Sequence, residues 1–168
     1  AVFVHQEAPL GLGHAVLCAR EAVGEAPFAV ILPDDLILGE PGCLAEMIEA
    51  QARAGGHLVA AMDVPRDEVG AYGVLRPVER SGRLIRAAGM VEKPAPAEAP
   101  STLAVVGRYV LEPSIFDDLA RQAPGAGGEV QLTDAIAAGA ARVGLSGFAF
   151  SGLRFDCGAK AGMLAATL

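Results

Sequence analysis

Residues Ala29-Val30-Ile31-Leu32 run straight into Pro33-Asp34-Asp35, and this stretch limits the fold more than any other. A four-residue apolar run closed by proline reads as a short strand buried on both faces, as in a parallel sheet covered by helices. Such a strand needs helical layers above and below it, so the chain is expected to be α/β. Asp34 and Asp35 then fall at the carboxyl end of the strand, where open α/β sheets bind ligands. Two readings stay open here. The acids hold a hard divalent cation that carries a phosphate, or one of them simply caps a turn.

The bulk of the chain fits that frame. Its 168 residues suit a single domain spanning 1–168 with a sizeable core. With 52% hydrophobic residues, the chain can bury enough surface to fold. No apolar run is long enough to cross a bilayer, so no membrane partner is expected. The net charge is −7, and the basic residues form no stripe, which argues against nucleic acid as a partner. No basic segment followed by an apolar one opens the chain, so no secretory leader is expected. Three cysteines without metal-type spacing (Cys18, Cys43, Cys157) fit reduced thiols and a cytoplasmic location.

Along the chain, Val2–His5 reads as a strand, residues 7–13 as a glycine loop and His14–Val23 as a helix. With the strand of 29–32 these form a right-handed crossover. A helix around Leu44, Met47, Ile48 and Gln51 stops at Gly55-Gly56, and His57–Val64 is the next strand. Tyr72–Val78, a Ser81-Gly82 turn and Arg83–Glu92 read as a small antiparallel excursion. Leu103–Leu111 is a strand, Ser114–Gln122 a helix and Gly125–Gly128 a flexible loop. Leu132–Val143 is an alanine-rich helix, Phe148–Phe150 a strand and Ala159–Leu168 the last helix. The expected architecture is a Rossmann-like, three-layer domain with a mixed, mostly parallel sheet.

Several spots carry chemistry, each beside a plainer reading. Gly11-Leu-Gly13-His14 opens a helix, where N–H groups favour an anion, although two glycines alone are most often a turn. Neither a dinucleotide fingerprint nor a P-loop is present. Glu92-Lys93-Pro94 ends a strand with a carboxylate and an ammonium, which need not pair because adjacent strand residues face opposite ways. Glu129 lies in a loop, free to meet a ligand, while Thr133 or Asp134 caps the helix that follows. Asp156 and Lys160 flank the start of the last helix, either as a structural pair or around a metal and a phosphate. Zinc is disfavoured, since no Cys–His arrangement is evident.

The order of the motifs is more telling than any one of them. Gly11-Leu-Gly-His-Ala-Val-Leu-Cys18, Ala29–Asp34, Ala71-Tyr-Gly-Val74, Val91-Glu-Lys-Pro94, Ala104–Val110, Gly128–Ile136 and Asp156-Cys-Gly-Ala-Lys160 follow one another. This succession closely resembles the bacterial UTP–glucose-1-phosphate uridylyltransferases of the sugar-nucleotidyltransferase superfamily. It covers essentially the whole chain, and the Gly-Leu-Gly-His run is similar to the uridylyl rather than the thymidylyl branch.

The resemblance implies roles position by position. Asp34 matches the Mg²⁺ ligand, with Asp156 as a second metal contact, and Asp35 falls to the plainer reading. Gln6 and Gly13 match the segment that meets uracil. Gly73, Glu92, Gly107 and Glu129 match sugar-pocket positions, while Lys93 and Lys160 match lysines near the phosphates. Gln131 and Thr133 belong to the matching motif without an assigned role. The implied partners are UTP, glucose 1-phosphate and UDP-glucose. Thr102 departs from the asparagine of the family. The family's glycine-rich triphosphate loop has no counterpart here, so the chain is expected to be the carboxyl-terminal portion of such a domain. A sheet without its first strand leaves an open edge, from which homo-oligomerisation is expected. The alternative is a non-catalytic homologue that binds a nucleotide sugar or serves regulation.

Overall fold

The computed structural model of the chain describes residues 1–125 and 128–168. Two short helices come first, α1 (Leu12–Cys18) and α2 (Arg20–Val23), followed by strands β1 (Phe28–Ile31) and β2 (Asp35–Leu38). Helix α3 (Cys43–Ala54) leads to β3 (His57–Asp63) and a short 3₁₀ helix (Arg66–Ala71). Then come β4 (Gly73–Ser81), β5 (Leu84–Glu92), β6 (Leu103–Leu111) and α4 (Ile115–Arg121). The chain closes with α5 (Leu132–Val143), β7 (Leu145–Ala149), β8 (Leu153–Asp156) and α6 (Lys160–Thr167).

Six strands form one sheet in the order β1-β6-β3-β7-β5-β4, with a further β4–β6 contact. β3 is buried at its first five positions, His57 followed by the apolar Leu58, Val59, Ala60 and Ala61, as expected of a strand covered on both faces. Its side chains alternate between two cores. Val59 and Ala61 join α1, α4 and α5 on one face, with Phe116, Leu119, Leu132 and Ile136. Leu58 and Ala60 join Cys43 and Met47 of α3 on the other. Helix, sheet and helix therefore form the three layers expected, and the α/β assignment holds.

Strand direction differs from expectation. Among the described residues β3–β7 is the parallel pairing, and β1–β6, β3–β6, β4–β5, β4–β6 and β5–β7 are antiparallel. The sheet is mixed but mostly antiparallel, because β6 returns from the β4–β5 hairpin and inserts between β1 and β3. The expected excursion is thus part of the sheet. Residues 29–31 are in an edge strand whose burial alternates, not one covered on both faces; Ile31 is 52% exposed. Val2–His5 makes no strand, and Phe3 is 97% exposed, so the crossover expected at the start is not formed by the described residues. The helix of 14–23 comes as α1 and α2, meeting at Ala19. Residues 126 and 127 of the loop expected at 125–128 lie outside the described residues.

β2 and β8, neither of them expected, pair as a separate antiparallel ribbon, with Asp35 opposite Asp156 and Leu38 opposite Leu153. That ribbon positions the site.

Candidate active site

The ribbon joins two stretches that the sequence keeps far apart. The N–H of Cys157 donates to the carbonyl of Asp34 at 2.7 Å, so the turn after β8 lies on the turn after β1. Both carboxylates converge on Gly158: a β-carbon there would stand 3.1 Å from Asp34 Oδ2 and 3.2 Å from Asp156 Oδ1. Gly158 also donates its N–H to Asp156 Oδ1 at 3.1 Å. Asp35 points inward instead and is 7% exposed. Its Oδ2 accepts the Gly107 N–H at 2.7 Å, and its Oδ1 accepts from Arg154 Nε. It is no cap. It is the buried anchor of the ribbon.

Across from these acids, β5 ends in Glu92 and α5 begins near Thr133. The Thr133 hydroxyl donates to Glu92 Oε2 at 2.6 Å, fixing the carboxylate. Gly73 lies under this pair, and a β-carbon there would crowd Glu92 Oε2 and Thr133 Cγ2, both at 3.3 Å. Lys93 follows with a φ of 44°, a left-handed turn uncommon for a residue with a side chain. Its N–H donates to the Tyr72 carbonyl at 2.9 Å. The turn keeps its ammonium 3.8 Å from Glu92 Oε1, so the two side chains do approach each other.

These groups wall one cavity of about 360 Å³, a volume suited to a small-molecule ligand. It gathers Asp34, Gly73, Glu92, Lys93, Gly107 and Asp156 of the residues singled out in sequence. Gly107 is confined there, since a β-carbon would meet Asp35 Oδ2 and Leu32 Cβ at 2.6 Å each. The Tyr109 hydroxyl is pushed well above its ordinary range by burial, with the Glu92, Asp35 and Asp34 carboxylates acting in the same direction. Burial alone would lower Arg154, but its hydrogen bond and charge pairing with Asp35 outweigh that and raise it.

The donor set fits a hard cation. Asp34 and Asp156 present carboxylate oxygens to the same cavity, as Mg²⁺ requires when phosphates and water complete its shell. Among the described residues, no group of three or more His, Cys, Asp or Glu side chains is arranged to hold a metal alone.

Four candidates lie outside this wall. The Gln6 amide donates to the Gly11 carbonyl at 3.2 Å and meets His14 Nδ1 at 2.9 Å. Gly13 packs on Val130, donating its N–H to that carbonyl at 2.9 Å; the N–H expected to face an anion is thereby occupied. Glu129 is not free, since its Oε2 accepts from Gln131 Nε2 at 3.1 Å. Lys160, at the first turn of α6, is exposed and makes no hydrogen bond or ion pair among the described residues. A Cys–His approach does exist after all. Cys18 Sγ is 3.8 Å from His14 Nε2, four residues away on α1.

Tyr72, Tyr109, Arg154 and Thr133 also line the cavity, and the sequence pointed to none of them as site residues. The capping expected of Thr133 or Asp134 is not made, since both lie inside α5, whose N-cap is Gln131 with no side-chain cap. Arg154 alone left a signal: two positions before Asp156 on a strand, it shares that carboxylate's face.

Comparison with known proteins places the chain in a family. The profile of the nucleotidyl transferase family matches residues 1–166. The chain belongs to that family. It is 45% identical over 150 residues to a UTP–glucose-1-phosphate uridylyltransferase of Komagataeibacter xylinus, covering 89% of this chain and 53% of that protein. The Bacillus subtilis enzyme of the same name is 40% identical, over 99% of this chain and 57% of its own length. The chain thus spans just over half the length of these curated relatives. A crystal structure of UDP-glucose pyrophosphorylase complexed with UDP-glucose superposes with a TM-score of 0.95 at 39% identity, over 99% of this chain and 64% of that one. The resemblance read from the motifs is borne out.

Proposed function

We propose that this chain serves the transfer of a uridylyl group from UTP to glucose 1-phosphate, giving UDP-glucose and pyrophosphate. The observation that carries the reading is the single cavity in which Glu92, fixed by Thr133, faces the Asp34–Asp156 carboxylate pair. Relatives of this name stand at 40–45% identity. A putative glucose-1-phosphate thymidylyltransferase of Bacillus anthracis stands at 25%, with a TM-score of 0.74, which favours uridine.

In this reading an oxygen of the sugar phosphate attacks the α-phosphorus of UTP, and pyrophosphate leaves. The nucleophile is already an anion, so no general base is required. The work lies in bringing two anions into line and offsetting the charge that builds up. Glu92 accepts hydrogen bonds from sugar hydroxyls, held for that by Thr133, and Gly73 leaves room for the ring. Lys93 stands at the sugar phosphate, and Lys160 reaches the phosphates from the start of α6. Gln6 and Gly13 belong to the uracil side, Gly107 and Glu129 to the sugar side. Asp34 and Asp156 would hold Mg²⁺, which supplies positive charge to the phosphates when bound. The free cysteines suit a reducing cytoplasm.

Pyrophosphate release from UTP and glucose 1-phosphate, with and without Mg²⁺, tests the reaction, and calorimetry with UDP-glucose tests the pocket. No release, no heat with UDP-glucose and no heat with UTP together sink the proposal. The exposed position of Lys160 favours a second reading, a nucleotide-sugar-binding homologue without turnover. Binding without pyrophosphate release would select it.

A further inference from the structure

Arg154 lies in the wall of the cavity with its side chain 13% exposed. A guanidinium so far from water needs partners on several sides, and each of its partners is a piece of the site. Nε donates to Asp35 Oδ1, and Nη1 donates to the Tyr72 hydroxyl at 3.3 Å. The guanidinium carbon stands 5.6 Å from the centre of the Tyr72 ring. Nη2 is 3.8 Å from Asp156 Oδ2. Asp35 is fastened in turn to the Gly107 N–H. One side chain therefore ties β8 to the start of β2 and to the segment entering β4.

The ribbon cannot set this geometry by itself. Each of its strands has four residues, and a two-stranded ribbon of that size is marginal in water. Asp34, Asp35 and Asp156 crowd one place, and their mutual repulsion would drive them apart. Arg154 offsets one of the three charges.

We propose that Arg154 is a positioning residue: locked by Asp35, it holds the Asp156 carboxylate toward Asp34 and so sets how tightly this pair takes a divalent cation. The inference rests on the uridylyltransferase reading only for the phosphates that would accompany the ion. Arg154 need not touch a substrate.

The test is Mn²⁺ titration followed by electron paramagnetic resonance, on the wild-type chain, Arg154→Ala and Arg154→Lys, with and without UDP-glucose. Circular dichroism and urea midpoints check that each variant is folded. Arg154→Ala is expected to bind Mn²⁺ about 10- to 100-fold more weakly, the range for outer partners of metal ligands. Added ethylguanidinium should recover part of the Mn²⁺ affinity. Arg154→Lys keeps the charge but not the fork, so it should fall between the two; it also supplies the answer if Arg154→Ala does not fold. Wild-type Mn²⁺ affinity in a folded variant overturns the proposal, as does a loss that ethylguanidinium leaves untouched. A wild-type chain that takes up Mn²⁺ but no UDP-glucose leaves the role of Arg154 standing and removes the sugar-nucleotide reading. One that takes up no Mn²⁺ overturns the proposal.

Discussion

At Gly107, β6 passes so close to the turn after β1 that only hydrogen fits on the α-carbon. Gly107→Ala would press a methyl group into Asp35 Oδ2 and Leu32 Cβ. It should cost about 1–3 kcal/mol in urea denaturation, and it should loosen the same carboxylate that Arg154 holds. Thr133 acts by a gentler contact. Thr133→Val removes the hydroxyl from Glu92, and calorimetry should show UDP-glucose affinity falling about tenfold, as expected for one hydrogen bond to a charged group. Thr133→Ser should restore it. His57 makes a third case. It is fully buried, its Nδ1 accepts the Glu112 N–H at 3.2 Å, and its Nε2 has no partner among the described residues. Burial lowers its pKa from 6.5 to about 4, with the nearby Asp118 carboxylate opposing and Arg142 assisting. The folded protein therefore holds His57 neutral where the unfolded chain would protonate it. Stability should fall as the pH drops from 6.5 toward 4, by roughly 3 kcal/mol from this residue. His57→Gln should flatten that part of the urea-midpoint profile, and an unchanged slope would refute the assignment. None of these three roles was legible in sequence, because each depends on what a distant segment places against the residue.

The elements were more readable than their partnerships. Leu103–Leu111 and Leu132–Val143 form as their patterning predicts, since nine apolar-rich residues or three helical turns leave little ambiguity. Strand direction was not legible, because an apolar run looks the same whichever way its neighbour points. The β2–β8 ribbon escaped notice for another reason. Its strands are four residues long and pair across most of the chain, so no local period marks them. The ribbon also stands apart from the six-stranded sheet and leaves Leu38 and Leu153 more than half exposed. Hydrogen exchange should therefore find the Leu36–Leu38 amides opening well below the global unfolding free energy, while those of β3 and β6 exchange only with it. Equal protection in both would show that Arg154 and Asp35 weld ribbon and sheet into one cooperative unit.

At the scale of the molecule, the six candidates that share the cavity come from the turn after β1 and from β4, β5, β6 and β8, while Gln6, Gly13, Glu129 and Lys160 stay outside its wall. Sequence motifs mark residues that follow one another in a family but carry no information on which of them meet in a given chain. Among the described residues β1 has no partner on its outer side, and Ile31 is exposed in that strand. An unpaired, partly apolar edge favours pairing with a second copy. Sedimentation should show concentration-dependent self-association that Ile31→Lys weakens, and a strictly monomeric wild type would refute it. Finally, the contact that locks the carboxylate pair joins positions 119 apart in the chain. During synthesis Asp34 emerges early, yet it has no opposing carboxylate until β8 has folded back across the whole sheet. Closing so long a loop is slow and entropically costly, so the pairing of Asp34 with Asp156 should be among the last features to form. An unfinished or clipped product lacking β8 would hold most of the core but no paired acids.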